Sequence, residues 1–574
     1  MQKLLESYGI LVQENIKDTN IKINENTITI HNSNISEIDL NILEQKQINK
    51  ITITNCEIDY IYFANNNIEL FFSGCIFKNQ IIAIAVIFNK EVIFSQCIFE
   101  KRIDFTYAIF NSYINLTATM FKNEARFVMT QFLADQTTTG VIENNFSEAV
   151  FKDKASFAMA KFKARVNFSI TRFESEVNFA ETKFFAEYTN QENIENDFRA
   201  IFFKDKVFFS RVESKARVNF DMTRFEGKAR FINTSFFKNT IIFSEAEFNN
   251  VKFISSKKRD TININDTVEQ TYHFQNVTFK GIVNFENIHI KDLNFKNVIF
   301  NNIVVFDNTT LDSKPKFINC TFSNQFNIKH DCIQYDYNEL KEKNKNTYNE
   351  FLNFRDLFRK LKSNRIAHHN LIDASELRVQ ELYARELELT HKENKNLKDT
   401  IEQYQLFFYR KLCDHHTDLV LNAKWLIITI GMFASILFMI KLYKHGLCIL
   451  NAFNFYGLYL SALGSFILSA LALFRCIDTM KAFVSINAII IFWVICYKPK
   501  LIFGIANLIG DNSYNAFENL LITLYTLIVG LIIFSLQKNS KKKHYHTKLK
   551  DFKCKYEFIM KIPMQVEWYT IATT

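Results

Sequence analysis

"VNFSITRFESEVNFAETKF" occupies residues 166–184, and its spacing decides the fold. Phe168, Phe173, Phe179 and Phe184 recur at steps of 5, 6 and 5. A helix repeats near 3.6 residues and a strand near 2, so neither carries this beat. The beat runs outward in both directions. Upstream it reads Phe94, Phe99, Phe105, Phe110, Leu116, Phe121, Phe127 and Phe132. Downstream it reads Phe220, Phe225, Phe231 and Phe236, then Phe274, Phe279, Phe285, Phe295, Phe300 and Phe306. Four steps make 22, the distance from Cys75-Ile76-Phe77 to Cys97-Ile98-Phe99. Four short sides per coil, with every beat residue inside, describe a square solenoid.

The neighbouring positions agree. Two residues before the beat the side chain is small or β-branched, as at Ala108, Ala125, Ala160, Val166, Val177 and Val283. Between the two inward positions a polar residue recurs, as at Arg126, Lys161, Asn167, Asn178 and Asn284. Small-in, polar-out, large-in is one strand-like side on a core. "VNFSITRF" (166–173), "VNFAETKF" (177–184) and "VNFDMTRF" (218–225) repeat it almost verbatim. No coil buries its interior alone, so stacking is required. Composition is consistent: among 574 residues Phe is 61, Gly 12 and Pro 3, so the corners must turn without the usual breakers.

The [A/V/T]-x-F-x-x unit, with one extra residue every second unit, resembles the pentapeptide-repeat family over roughly residues 51–328. The resemblance implies a right-handed quadrilateral β-helix, and a fold of mainly β plus α class. The family shares no active site, so it implies no catalytic residue. Cys75, Cys97 and Cys320 sit at the small inward position, which makes Cys75 and Cys97 stacked buried thiols. No CxxC occurs, and with no signal peptide expected at the start, a reducing compartment follows.

Three stretches interrupt the beat: 133–147, 185–201 and 254–272. Insertions in solenoids map to outer loops. The second has the richest chemistry, and Tyr188, Asn190, Glu192, Glu195, Asp197 and Arg199 are the candidate partner-binding residues. Outward charges are mixed, with Arg211, Lys215, Arg217, Arg224, Lys228 and Arg230 among Glu213, Asp221 and Glu226.

The remaining organisation is an N-terminal cap (1–50), a helical cap and linker (335–420), transmembrane helices (421–537) and a basic tail (538–574). Phe351, Phe354, Leu357, Phe358 and Leu361 share one helical face, and "ASELRVQELYARELEL" (374–389) continues in the same style. The linker resembles the helical piece that membrane-anchored members of the family carry after the repeat. Nearly charge-free runs at 425–443, 447–474, 482–497 and 519–537 give four spans. The third is short, so three spans is the alternative. Lys538, Lys541, Lys542, Lys543, Lys548 and Lys550 place the tail in the cytoplasm, and four spans place the solenoid there too. An AT-rich-looking composition suggests a bacterial inner membrane.

Chemistry is sparse. The sequence has no phosphate-binding loop, zincin motif, nucleophile elbow or glycine-rich dinucleotide loop, so no enzyme, cofactor or metal is expected. His368, His369 and Asp373, and the "CDHHTD" run at 413–418, do not converge three ligands. Residues 71–330 carry 33 Lys and Arg against 28 Asp and Glu, a balance of +5, which is the wrong sign for mimicking DNA; nucleic acid is not an expected partner. The expectation is a membrane scaffold with the lipid bilayer and one unidentified protein as partners. The alternative is a channel- or transporter-like protein regulated by its repeat domain.

Overall fold

The computed structural model describes residues 2–13, 18–134, 143–186, 195–236, 240–255, 270–343, 348–415, 418–447, 454–497, 499–502 and 515–536. The chain divides into two units, residues 1–335 with 356–374, and residues 336–355 with 375–574.

The first unit is a four-sided β-solenoid of about 12 turns over residues 27–327. Coils pair in parallel and in register, as Arg172 with Phe202 and Phe173 with Phe203. The beat residues form columns, one per side. Along one side Phe77, Phe99, Phe121, Phe151 and Phe173 stack at 4.8, 5.2, 4.5 and 4.8 Å between ring centres. Along the next, Phe157, Phe179, Phe209 and Phe231 stack at 5.1, 5.2 and 4.9 Å. The third holds Phe110, Phe132, Phe162 and Phe184, and the fourth Phe146, Phe168, Phe198 and Phe220. Phe168, Phe179 and Phe225 are buried and Arg224 is exposed, as the spacing requires.

Asn167 and Asn178 differ from expectation, being half-buried. Their side chains turn back on the corner: Asn167 Oδ1 accepts from the Ser169 N–H at 2.9 Å and Asn178 Oδ1 from the Ala180 N–H at 2.8 Å. Asn115, Asn145 and Asn219 do the same. The polar residue on these sides is therefore a turn cap rather than a solvated spacer.

The corners explain the missing glycines. Non-glycine residues take left-handed φ at two corners per coil, among them Ala118 (54°), Glu148 (60°), Ile170 (59°) and Met222 (58°) at one, and Met129 (56°), Met159 (58°) and Glu181 (59°) at the other. In later coils the first corner is filled by Asn276, Asn297 and Asn319. A β-branched residue is the worst choice there. Ile170, 60% exposed, buries little in exchange. Ile170→Asn is therefore expected to stabilise the solenoid by about 1 kcal/mol, read as a rise in the thermal midpoint of the β-sheet circular dichroism signal. An unchanged or lower midpoint would refute the account of strain.

Both solenoid ends are covered. Coiling begins inside the segment expected as a cap, where Thr27–His31 pairs in parallel with Lys50–Thr54. Before it, Ile21–Asn24 runs antiparallel to Thr27–His31, and Ile10–Val12 antiparallel to Asn34–Asp39. Antiparallel strands and the short helix α1 (Gln2–Ser7) block the exposed first edge. Three further helices, α2 (Leu40–Gln45), α3 (Tyr337–Lys343) and α4 (Tyr348–Ala367), follow in chain order. Residues 356–374, including the second part of α4, close the last coil. Lys360 donates to the Cys320 carbonyl at 3.0 Å, Asn364 to that of Asn324 at 2.5 Å and Arg365 to that of Ile328 at 2.8 Å. Phe358 and Leu361 lie buried on this turn of helix.

The second unit is helical. Its long elements are α5 (Leu371–His391), which begins four residues earlier, α6 (Leu397–Cys413), α7 (Leu419–His445), α8 (Phe455–Leu473), α9 (Thr479–Tyr497) and α10 (Ala516–Leu536). Helices α7 to α10 are long and apolar enough to cross a membrane, with mean hydropathies of 2.1, 1.6, 1.9 and 2.2. Asn422 near the start of α7 donates to Ser535 near the end of α10 at 2.8 Å, and Lys444 at the far end of α7 meets Glu518 at 2.8 Å. The two helices thus run antiparallel, and α9 packs closely on α7: a Cβ on Gly431 of α7 would lie 2.3 Å from Asn487 Oδ1.

Candidate interaction surface

A solenoid filled by stacked phenylalanine offers partners its outside. The first insertion leaves after Phe132 and returns at Phe146; the second leaves after Phe184 and returns at Phe198. Both span the corner between the third and fourth sides. The third leaves after Phe253 and returns at Phe274, in the same fourth column. All three interruptions therefore re-enter on one side.

The returns are built alike. "IENNF" (142–146) and "IENDF" (194–198) lie 52 residues apart, as do "KARVNF" at 163–168 and 215–220. Asn144 and Asn196 take the small inward position and are fully buried. Asn196 Oδ1 accepts from the Val166 N–H at 3.2 Å and its amide donates to Ser214 Oγ at 3.2 Å. Asn144 Oδ1 accepts from the Ile114 N–H at 3.4 Å. A buried asparagine costs stability unless its hydrogen bonds are met; the Asn196 amide is met at both ends, so that position is specified rather than tolerant, whereas the Asn144 amide nitrogen is buried without a partner. The duplicated motif was the signal in sequence.

Of the six candidate residues, Tyr188, Asn190 and Glu192 lie outside the described residues. The other three belong to the returning rung. Glu195–Asp197 is a strand. Asp197 is buried and holds the Arg199 guanidinium at 2.6 Å and its N–H at 2.9 Å. Glu195 accepts from Asn219 at 3.2 Å, as Glu143 accepts from Asn167 at 3.1 Å. The Asp221 carboxyl one coil on is pushed above its ordinary range by burial and by Glu195 and Glu245. In the basic stretch Arg211 pairs with Glu181 at 2.9 Å and Arg224 with Glu247 at 3.9 Å, and Glu213 among them takes Lys183 at 3.1 Å. Such exposed pairs add little stability.

Cys56, Cys75 and Cys97 form a buried column. They are more than small apolar fillers. Cys75 Sγ lies 3.3 Å from the Ile53 carbonyl and Cys97 Sγ 3.5 Å from that of Phe72. Thr171, Thr182 and Thr223 occupy equivalent inward positions and donate to carbonyls 25 residues back, each at 2.8 Å. Burial pushes the Cys56 and Cys320 thiols up to about 11, which leaves them protonated and unreactive at neutral pH.

Among the described residues no group of three or more His, Cys, Asp and Glu is arranged to hold a metal ion. Asp373 binds Asn370 at 2.8 Å, and Asp418 caps α7 through the Leu421 N–H at 2.9 Å. His416 lies outside the described residues. Tyr383 donates to Asp414, and burial with that carboxylate pushes its phenol up. Beside it, Arg410 grips Glu386 through two bonds of 2.8 Å and lies 3.6 Å over the Tyr337 ring.

No family model, curated protein or solved structure matches the chain. What stands is the architecture: a Phe-laddered β-solenoid joined to four apolar helices, a membrane-anchored repeat protein.

Proposed function

We propose that the chain is a divergent pentapeptide-repeat protein that acts as a membrane-tethered scaffold without catalytic activity. Its repeat domain faces the cytoplasm of a bacterial cell, and its outer surface binds a protein partner. The observation that carries this reading is the return of three insertions on one side of a rigid, Phe-filled support. Rigid elements presenting loops are a common recognition design. The Asn422–Ser535 contact supports four crossings, which would leave both chain ends on one side. The basic tail bearing Lys538 to Lys550 lies outside the described residues; the positive-inside rule assigns it to the cytoplasm. In the four helices, polar groups pair with one another, as Lys444 with Glu518, which suits helix association. The channel reading gains nothing from these contacts.

The test combines crosslinking in native membranes with loop replacement. Short Gly/Ser bridges in place of 135–142, 187–194 and 256–269 are expected to preserve folding, since loop closure depends weakly on length. The captured partner should be lost with at least one bridge. A partner retained by all three variants would move the surface to a flat side. Reporter fusions at both ends should give the same side, and opposite sides would refute the topology.

A further inference from the structure

Helix α6 carries a row of uncovered apolar side chains. Leu397 is 81% exposed, Ile401 59%, Tyr404 69% and Phe408 43%. Their spacing of 4, 3 and 4 residues places them on one face. The opposite face is occupied: Leu406 and Cys413 are buried, and Arg410 and Glu402 are ion-paired to α5. In soluble proteins such a row is covered by something.

The row points to its own cover. Its next member, Leu412, is buried against Ile532 of α10, with Trp425 and Leu426 of α7 and Leu536 of α10 around it. Trp425 Nε1 donates to the Lys411 carbonyl at 3.0 Å, fixing this end of α6 to α7. Ile533 and Phe534 of α10 and Val420 of α7, at the same level, are 51, 58 and 63% exposed. The row therefore leads through Leu412 onto the ends of α7 and α10, which carry exposed apolar residues of their own. Lys398 and Lys411 flank it, both exposed. Lysines beside an apolar row, with Tyr and Phe in it, match the chemistry of a headgroup–acyl boundary.

We propose that α6 is an interfacial helix, lying on the bilayer with Leu397, Ile401, Tyr404 and Phe408 in the headgroup–acyl boundary. This rests on the membrane-anchored reading. It makes the lipid surface, rather than a protein, the occupant of the row.

The test places a photoreactive benzoylphenylalanine at Tyr404 or Phe408 in the full chain, reconstituted in phosphatidylcholine–phosphatidylglycerol vesicles. Phe466 of α8, 72% exposed, is the lipid-facing reference, and the exposed Glu226 of the solenoid is the aqueous reference. Lipid adducts at 404 and 408 are expected within about threefold of those at 466 and about tenfold above those at 226. Lipid adducts at 466 with background levels at 404 and 408 would overturn the inference alone. Covalent dimers from 404 or 408 would also overturn it, assigning the row to a second copy. Background levels at 466 would overturn the membrane reading itself.

Discussion

Phe179→Ala is expected to lower the stability of the solenoid by about 3–5 kcal/mol. Phe179 is fully buried, and its ring lies between those of Phe157 at 5.1 Å and Phe209 at 5.2 Å. Phe168 and Phe198 meet its edge at 5.6 and 5.8 Å from the opposite side. Truncation opens a cavity whose walls are backbone rungs in register with both adjacent coils, so the site has little freedom to collapse. The damage should be local, because each coil contacts only its neighbours. Limited proteolysis of the detergent-solubilised chain should cut the coils around 157–209 first, with the β-sheet signal melting earlier. Phe185→Ala, at a half-buried position just past the beat, should cost much less. Equal losses from the two substitutions would refute the Phe-filled interior.

Arg410→Met should be of similar size, about 3–5 kcal/mol, for the opposite physical reason. Glu386 is 3% exposed, and its carboxylate takes two bonds from Arg410 and one from the Tyr337 hydroxyl at 3.2 Å. Removing the guanidinium strands an anion away from water. Replacing both partners, as Glu386→Leu with Arg410→Met, removes the stranded charge and should recover most of the loss. Hydrogen exchange along α5 and α6 reads the effect directly. A double variant as labile as the single one would show that the pair contributes net attraction.

The sequence disclosed what repeats. The 22-residue beat, the small residue two before it and the apolar runs are periodic or continuous, and burial imposes such patterns directly. Contacts without a period were not legible. Asn422 and Ser535 are 113 residues apart, and Lys444 and Glu518 are 74 apart. The capping role of Asn167 was hidden because a half-buried turn cap and a solvated spacer share one residue type. Asn144 and Asn196 were legible in principle, since their motif is duplicated, but they sat inside stretches read as insertions. Glu195 and Asp197 were drawn into the candidate loop for the same reason: an interrupted beat marks where a coil departs more sharply than where it resumes.

The stacked coils also impose a unit of distance. Neighbouring rungs are about 4.8 Å apart. The first two insertions return at Phe146 and Phe198, separated by two coils through Phe168. Their re-entry points are thus about 10 Å apart along the axis. The third returns at Phe274, three coils further through Phe220 and Phe243, a step of about 14 Å. These intervals can change only in whole rungs, by gain or loss of a coil, with the heading of each return preserved. The repeat domain is a graduated ruler, and a partner bound at more than one mark is selected by its own periodicity.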